Sequence, residues 1–283
     1  MARAGVIGLV TAAVLALAAP ASAASRLAYS AGSPSQVFTV GANGGPVQQL
    51  THDPAGAARP AWSPDGRFVA YDVGGRRIAV ADAGGGGERI LQLNQSGIDP
   101  TWSPDASQIA FTGVEYDENG NPETTSIYVT QADGSNYVRI GNGSEPDWSP
   151  KGSWIVYRSN AANSDGCPGI WRMRPDGSDN RSVAPGYLNN DGATCSGGGA
   201  DPSFSPSGKR VAFVSSDGTT IFTTSLYGGT QHRVVRDAAP KSSPVFSPSG
   251  RWIVYSAAGS LWKVKAKGGK PKRIASAAGP LAW

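Results

Sequence analysis

From Pro60 to the C-terminus the chain repeats one pattern of apolar and turn-forming positions. Proline, a variable residue, an aromatic and Ser-Pro-x-Gly lead into an apolar run. The phrase reads Pro60-Ala61-Trp62-Ser63-Pro64-Asp65-Gly66, and it returns around Trp102, Trp148, Phe204 and Phe246 at spacings of 40, 46, 56 and 42 residues. That period predicts an array of stacked supersecondary units, with insertions in the middle ones.

Each unit divides into four predicted strands, A to D. Strand A is Pro-x-Trp/Phe-Ser; proline cannot donate a ladder hydrogen bond, which suits the first position of an edge strand lining a central channel. Strand B is Phe68-Val69-Ala70-Tyr71, Ile109-Ala110-Phe111, Ile155-Val156-Tyr157, Val211-Ala212-Phe213 or Ile253-Val254-Tyr255. These runs are apolar on both faces, as strands sandwiched between neighbouring units require. Strand C follows as Ile78-Ala79-Val80 or Leu261-Trp262-Lys263-Val264, and a glycine turn leads to strand D, as in Arg89-Ile90-Leu91. Four antiparallel strands per repeat is the blade of a β-propeller.

The two ends complete the count. Arg26-Leu27-Ala28-Tyr29-Ser30 reads as a strand B without a strand A, and Gly279-Pro280-Leu281-Ala282-Trp283 as a strand A without a successor. Together they predict a sixth blade shared between the chain ends, in a ring with no open sheet edge. The fold expected is all-β, a six-bladed propeller over residues 24–283.

The phrase Trp-Ser-Pro-Asp-Gly-x-x-Ile/Val-Ala-Tyr/Phe resembles the WD40-like repeat of TolB-type propellers. The resemblance covers the whole chain after its leader and implies the same ring. The α/β domain that precedes the ring in TolB itself, and the hydrolase domain of prolyl-oligopeptidase-type enzymes, are expected to be absent. A propeller alone hosts many roles, so function must be argued from the site.

Residues 1–23 differ from the rest: one charge, Arg3, an apolar run over Val6 to Ala18, then Pro20-Ala21-Ser22-Ala23. This predicts a secretory signal peptide with an Ala-x-Ala-type cleavage site, hence a secreted, periplasmic or envelope location. The run is too short for a membrane anchor, which needs about 20 residues. Export makes a disulfide the economical reading of Cys167 and Cys195, the two cysteines of the chain. The formal charge of +4, one less without Arg3, does not support nucleic-acid binding. A monomer is expected.

Alternating strands put the A–B and C–D turns on one face and the B–C and D–A connections on the other. The second face carries the predicted loop insertions, Gly113 to Ser126, Ser159 to Gly169 and Pro185 to Ala200. Variable loops on a rigid scaffold are where binding usually resides. Just before the strand-A proline stand Asp99, Glu145 and Asp201 in three consecutive repeats, against Arg59, Ser243 and Gly279 in the others. They predict an acidic arc at the channel rim, able to hold a cation or a basic peptide group. The alternative is that each carboxylate caps local amides or faces solvent. None of the three is expected to be needed for blade packing.

Tyr116, Asp117 and Tyr187 are further candidate contacts in the insertions. The loop Tyr116 to Glu123 starts like a calcium loop, but Pro122 and Tyr128 occupy its glycine and glutamate places. The alternating Lys263, Lys265 and Lys267 read as outer-strand lysines that discourage aggregation, the alternative being attraction toward an anionic polymer or envelope surface. His52 and His232 lie after and within strands D, away from the rim, so a Ser-His-Asp triad or the histidine-rich metal site of propeller lyases has no members there. The expectation is a non-enzymatic platform for a protein or peptide partner, with no cofactor and no metal. The alternative is a polysaccharide-binding module or a carboxylate-dependent enzyme acting on an envelope polymer.

Overall fold

The computed structural model describes residues 26–160, 167–188, 195–276 and 281–282. Six four-stranded antiparallel sheets form the ring. The second blade is typical, with strands Ala57–Trp62, Phe68–Val73, Arg77–Asp82 and Arg89–Ile90 in order from the channel outward. The first blade joins Leu281–Ala282 to Arg26–Gly32, Ser35–Gly41 and Gln48–Gln49, so the two ends of the chain close the ring.

The closing register refines the sequence reading by one position. Ala282 pairs with Ala28 as Ala61 pairs with Ala70. Leu281 therefore stands where the other blades have proline; Gly279 lies outside the described residues.

The core follows from the doubly apolar strand B. Its aromatics Tyr29, Tyr71, Phe111, Tyr157, Phe213 and Tyr255 are all buried, and three of them stack on strand-C rings: Tyr29 on Phe38, Phe111 on Tyr128 and Phe213 on Phe222. Packing continues from blade to blade, as where Trp102 Nε1 donates to the Ala61 carbonyl at 3.1 Å. Close packing on both faces makes each blade depend on its neighbours.

The Ser-Pro-x-Gly phrase has a specific job. Ser63, Ser103, Ser149, Ser205 and Ser247 each accept, through Oγ, the amide five residues on, at or just before the first residue of strand B, at 2.9 to 3.1 Å. The turn glycine is left-handed, as at Gly66 with φ 69°. The third blade departs from this, for Ala106 holds φ 58° at the same place.

Two expected loops contain strands. Gly113 to Ser126 lies within a long hairpin made by Gln108–Tyr116 and Pro122–Gln131, because the alternating residues there continue the ladder of strands B and C. The 185–200 connection contains a small hairpin, Gly186–Leu188 against Cys195–Gly197. Residues 161–166 of the Ser159 to Gly169 insertion lie outside the described residues.

Candidate functional site

Strand A does not begin at the proline. In the second to sixth blades it starts earlier and carries a β-bulge there: three residues of strand A span two of strand B, as between Ala58 and Ala61 or Ser144 and Asp147. At the bulge Arg59, Asp99, Glu145, Asp201 and Ser243 adopt φ of 49°, 51°, 56°, 50° and 50°. Left-handed backbone costs a non-glycine residue roughly 1–2 kcal/mol. A bulge re-aims its side chain, and here all five line one funnel of about 610 Å³ at the channel mouth. Strand A enters from the D–A connections, so this mouth opens on the insertion face.

The three carboxylates are therefore brought together, and they also hold the ring. Asp201 N donates to Glu145 Oε2 at 2.6 Å, and Ser243 N to Asp201 Oδ2 at 2.8 Å. Glu145 N donates to Thr112 Oγ1 at 2.9 Å, which donates in turn to Asp99 Oδ2 at 3.2 Å. Each acidic side chain thus serves the amide of the next blade, directly or through Thr112. The capping alternative is realised across blades rather than locally, and the expectation that these residues play no part in blade packing is corrected.

Two arginines balance part of the charge. Arg59 Nε lies 2.8 Å from Asp99 Oδ1, and its NH1 3.0 Å from Asp72 Oδ2, a side chain only 2 % exposed. Arg158 NH1 lies 3.7 Å from Glu145 Oε1. Burial pushes the Asp99 carboxyl up to about 6. Burial, followed by the Asp201 charge, pushes Glu145 up to about 8, and burial raises Asp201 as well. Burial and the mutual repulsion of the two carboxylates disfavour ionising both at once.

Asp147, Asp72, Thr112 and Arg158 belong to this network and escaped the sequence reading. Asp147 stands at the variable place between Pro146 and Trp148, accepts the Phe204 amide at 2.7 Å, and is pushed by burial up to about 6. Asp72, Thr112 and Arg158 are the residues directly after the apolar core of strand B. A polar or charged residue closing that run was the available signal.

The other candidates are dispersed. Tyr116 lies under Arg76, whose guanidinium carbon is 4.5 Å from the ring centroid. Asp117 accepts the amides of Asn119 and Asn121 at 2.9 and 2.8 Å, so it builds its own hairpin turn. Tyr187 pairs with Ser196 in the small hairpin, and its side chain lies outside the described residues. Cys167 is buried, and the side chain of Cys195 also lies outside them. His52 and His232 are exposed and do not line the mouth. Among the described residues, no group of three His, Cys, Asp or Glu side chains is arranged to hold a metal ion. No helix among them is long and apolar enough to cross a membrane.

With this geometry in hand, known proteins bear on the family. The model of the TolB beta propeller domain matches residues 60–200. A TolB homologue of Chlorobium luteolum is 28 % identical over 52 % of this chain and 30 % of its own length. The chain is a TolB-type β-propeller. An uncharacterised protein of Agrobacterium fabrum is 31 % identical over 55 % of this chain and 50 % of its own. An uncharacterised peptidase of Bacillus subtilis matches at 25 % over 41 % of this chain and 23 % of its own. The chain thus spans half or less of the curated relatives it matches.

Solved structures agree on the fold of this TolB-type propeller. TolB from Acinetobacter baumannii superposes with a TM-score of 0.71 at 21 % identity, over 92 % of this chain and 66 % of its own. An oligogalacturonate lyase in complex with manganese superposes at 0.55 and 14 %, over 86 % of both chains.

Proposed function

We propose that the protein is exported to the cell envelope and binds a protein or peptide partner on its insertion face, without chemistry of its own. A basic group of the partner sits at the channel mouth. The observation that carries this reading is the convergence of Asp99, Glu145, Asp147 and Asp201 in one funnel whose only nearby cations among the described residues are Arg59 and Arg158. Low-dielectric walls around like charges focus a field that draws a cation in. Tyr116, Asp117 and Tyr187, on the insertions of that face, offer the partner further contacts away from the mouth. The leader-like residues 1–23 support export, and membership of the TolB-type propellers supports a protein partner.

The test uses a short Lys/Arg peptide with its acetylated-lysine counterpart as control, read by fluorescence anisotropy. The triple change Asp99→Asn, Glu145→Gln, Asp201→Asn keeps an acceptor oxygen for each neighbouring amide while removing charge. It should weaken binding at least about tenfold, the order of one charged hydrogen bond lost. Binding should also fall as salt rises. Equal affinity for the acetylated peptide, or an unaffected triple variant, removes the mouth from the function.

Export also motivates the proposal that Cys167 and Cys195 form a disulfide tying the fourth blade to its hairpin. Thiol titration of unreduced protein should find no free thiol; two would end the idea. A second reading is enzymatic, with Glu145 as a general acid, for which a pKa of about 8 is suitable. Turnover of an acidic polysaccharide that stops in Glu145→Gln would establish it in place of the first.

A further inference from the structure

The opposite face of the disc, formed by the short A–B and C–D turns, holds a cleft of about 410 Å³ between the fourth and fifth blades. It is lined by Lys151, Trp154, Lys209 and Tyr227 together with serines of both blades, including Ser153 and Ser207. The volume lies within the 300–1,000 Å³ common for small-molecule sites.

Its lining departs from the repeat at three places at once. In the second and third blades the residue after Ser-Pro is Asp65 or Asp105, whose Oδ1 accepts the amides of Arg67 and Ser107 at 3.0 and 3.1 Å. In the fifth and sixth blades the hydroxyls of Ser207 and Ser249 stand in the same relation to Lys209 and Arg251. The fourth blade has Lys151, which carries no acceptor, so the turn forgoes that bond and presents a cation instead.

The second departure lies at the start of strand B and its partner on strand C. Two blades fill this pair with an Arg–Thr hydrogen bond, Arg26 to Thr39 and Arg210 to Thr223. The fourth blade fills it with Trp154 and Arg172, guanidinium over indole at 4.0 Å, and Arg174 stacks on the same ring at 3.9 Å. Arg172 is only 6 % exposed, and its Nε and NH1 find no hydrogen-bond partner among the described residues.

Third, the C–D turn of the fifth blade carries Tyr227 where other blades have Asn43, Gly84, Asp133, Asp176 or Lys267. Tyr227 is 71 % exposed, with Arg172 at 4.9 Å from its ring centroid. A single carboxylate among the described residues comes within ion-pair distance of these cations, Asp179, at 3.8 Å from Arg172; it is shared with Arg181 at 2.6 Å and does not line the cleft.

We propose that this cleft binds an acidic saccharide, a uronic-acid unit of a polysaccharide whose ring lies on Tyr227 and whose carboxylate is met by Lys151 and Lys209. An exposed ring at a rigid turn tip offers a flat apolar face to a sugar at little entropic cost, and the serine hydroxyls suit its other oxygens. The two lysines and the stacked arginines exclude a cationic ligand. The site lies across the disc from the acidic mouth, so it is independent of partner binding there.

The repeat itself supplies variants that keep the turns intact. Lys151→Asp restores the residue of the second and third blades, and Tyr227→Asn the residue of the first. Titration of the full protein with the hexamer of mannuronic acid, followed by saturation-transfer NMR and tryptophan fluorescence, should show saturable binding. The hexamer of mannose and hexaglutamate should bind at least about tenfold more weakly, and each variant should lose a similar factor, the order of one charge-assisted contact. Absence of saturable binding, or equal binding by both variants, overturns the proposal. Preference for hexaglutamate does so too, and assigns the cleft to an acidic protein segment.

Discussion

The channel mouth and the blade-four cleft build charge into the same repeat in opposite ways. At the mouth the backbone is constant: five bulges hold five residues near φ 50°, and only the side chain at that place changes from blade to blade. Five blades focus on one axis, so ordinary carboxylates become neighbours, and burial raises their pKa values. At the cleft nothing converges by symmetry. Lys151, the Trp154–Arg172 pair and Tyr227 each replace a residue that serves the turn or the ladder elsewhere. Ring geometry creates the first site and local departure from the repeat the second, so perturbations should separate them.

Opening the ring should separate them most. Deleting residues 279–283 removes the strand paired to Arg26–Gly32 and leaves that strand as an open edge of the first blade. A loss of several kcal/mol corresponds to a melting temperature lower by about 10 °C or more for a domain of this size. Basic-peptide binding at the mouth should go with it, while the cleft, between the fourth and fifth blades, should be affected less. A truncated protein that melts like the intact one would show that closure contributes little.

Arg59→Ala should come next. It leaves Asp72 buried without its cation and removes the partner of Asp99. Breaking a buried pair costs about 3–5 kcal/mol, but Arg59 is 38 % exposed, so about 2 kcal/mol is expected from urea unfolding. The cleft should be untouched.

Protonation sharpens the contrast further. A carboxyl whose pKa is higher in the folded protein than in the unfolded chain makes the folded state bind more protons, so stability falls as pH rises between the two values. For Asp99 and Asp147 that window runs from 3.8 to about 6, and for Glu145 from 4.5 to about 8. The urea midpoint should therefore be higher at pH 5 than at pH 8. Glu145→Gln should flatten the upper part of the profile, between pH 6 and 8. An unchanged slope would mean that Glu145 is already ionised there.

The smallest effect is a control on the repeat alone. Ala106 occupies the left-handed turn position that glycine holds in the second, fourth, fifth and sixth blades. Ala106→Gly relieves steric cost and gives back some unfolded-state entropy, leaving about 0.5–1 kcal/mol of stabilisation. Differential scanning calorimetry would register it as a rise in melting temperature, with both sites unchanged.

Much of this molecule is legible in its residues taken in order. The Pro-x-Trp/Phe-Ser phrase and its period define the blades, the apolar run after it defines the strand that packs on both sides, and the unpaired half-repeats at the ends define the closing blade. These features repeat because each blade must solve the same local problem of turn, ladder and core. Asp99, Glu145 and Asp201 could be singled out for the same reason, since they occupy one place in three repeats.

Their relations could not be read in that way. Glu145 meets the amide of Asp201, 56 residues later, because two bulges point to one axis, and the bulge itself is an extra residue that no periodicity announces. Arg158 and Asp72 reach the mouth through strand register. The cleft joins Lys151 to Tyr227 across a blade boundary. Local chemistry dictates the unit, but contact between units depends on the angle at which rigid sheets pack around a closed ring, and that angle exists only in the assembled fold.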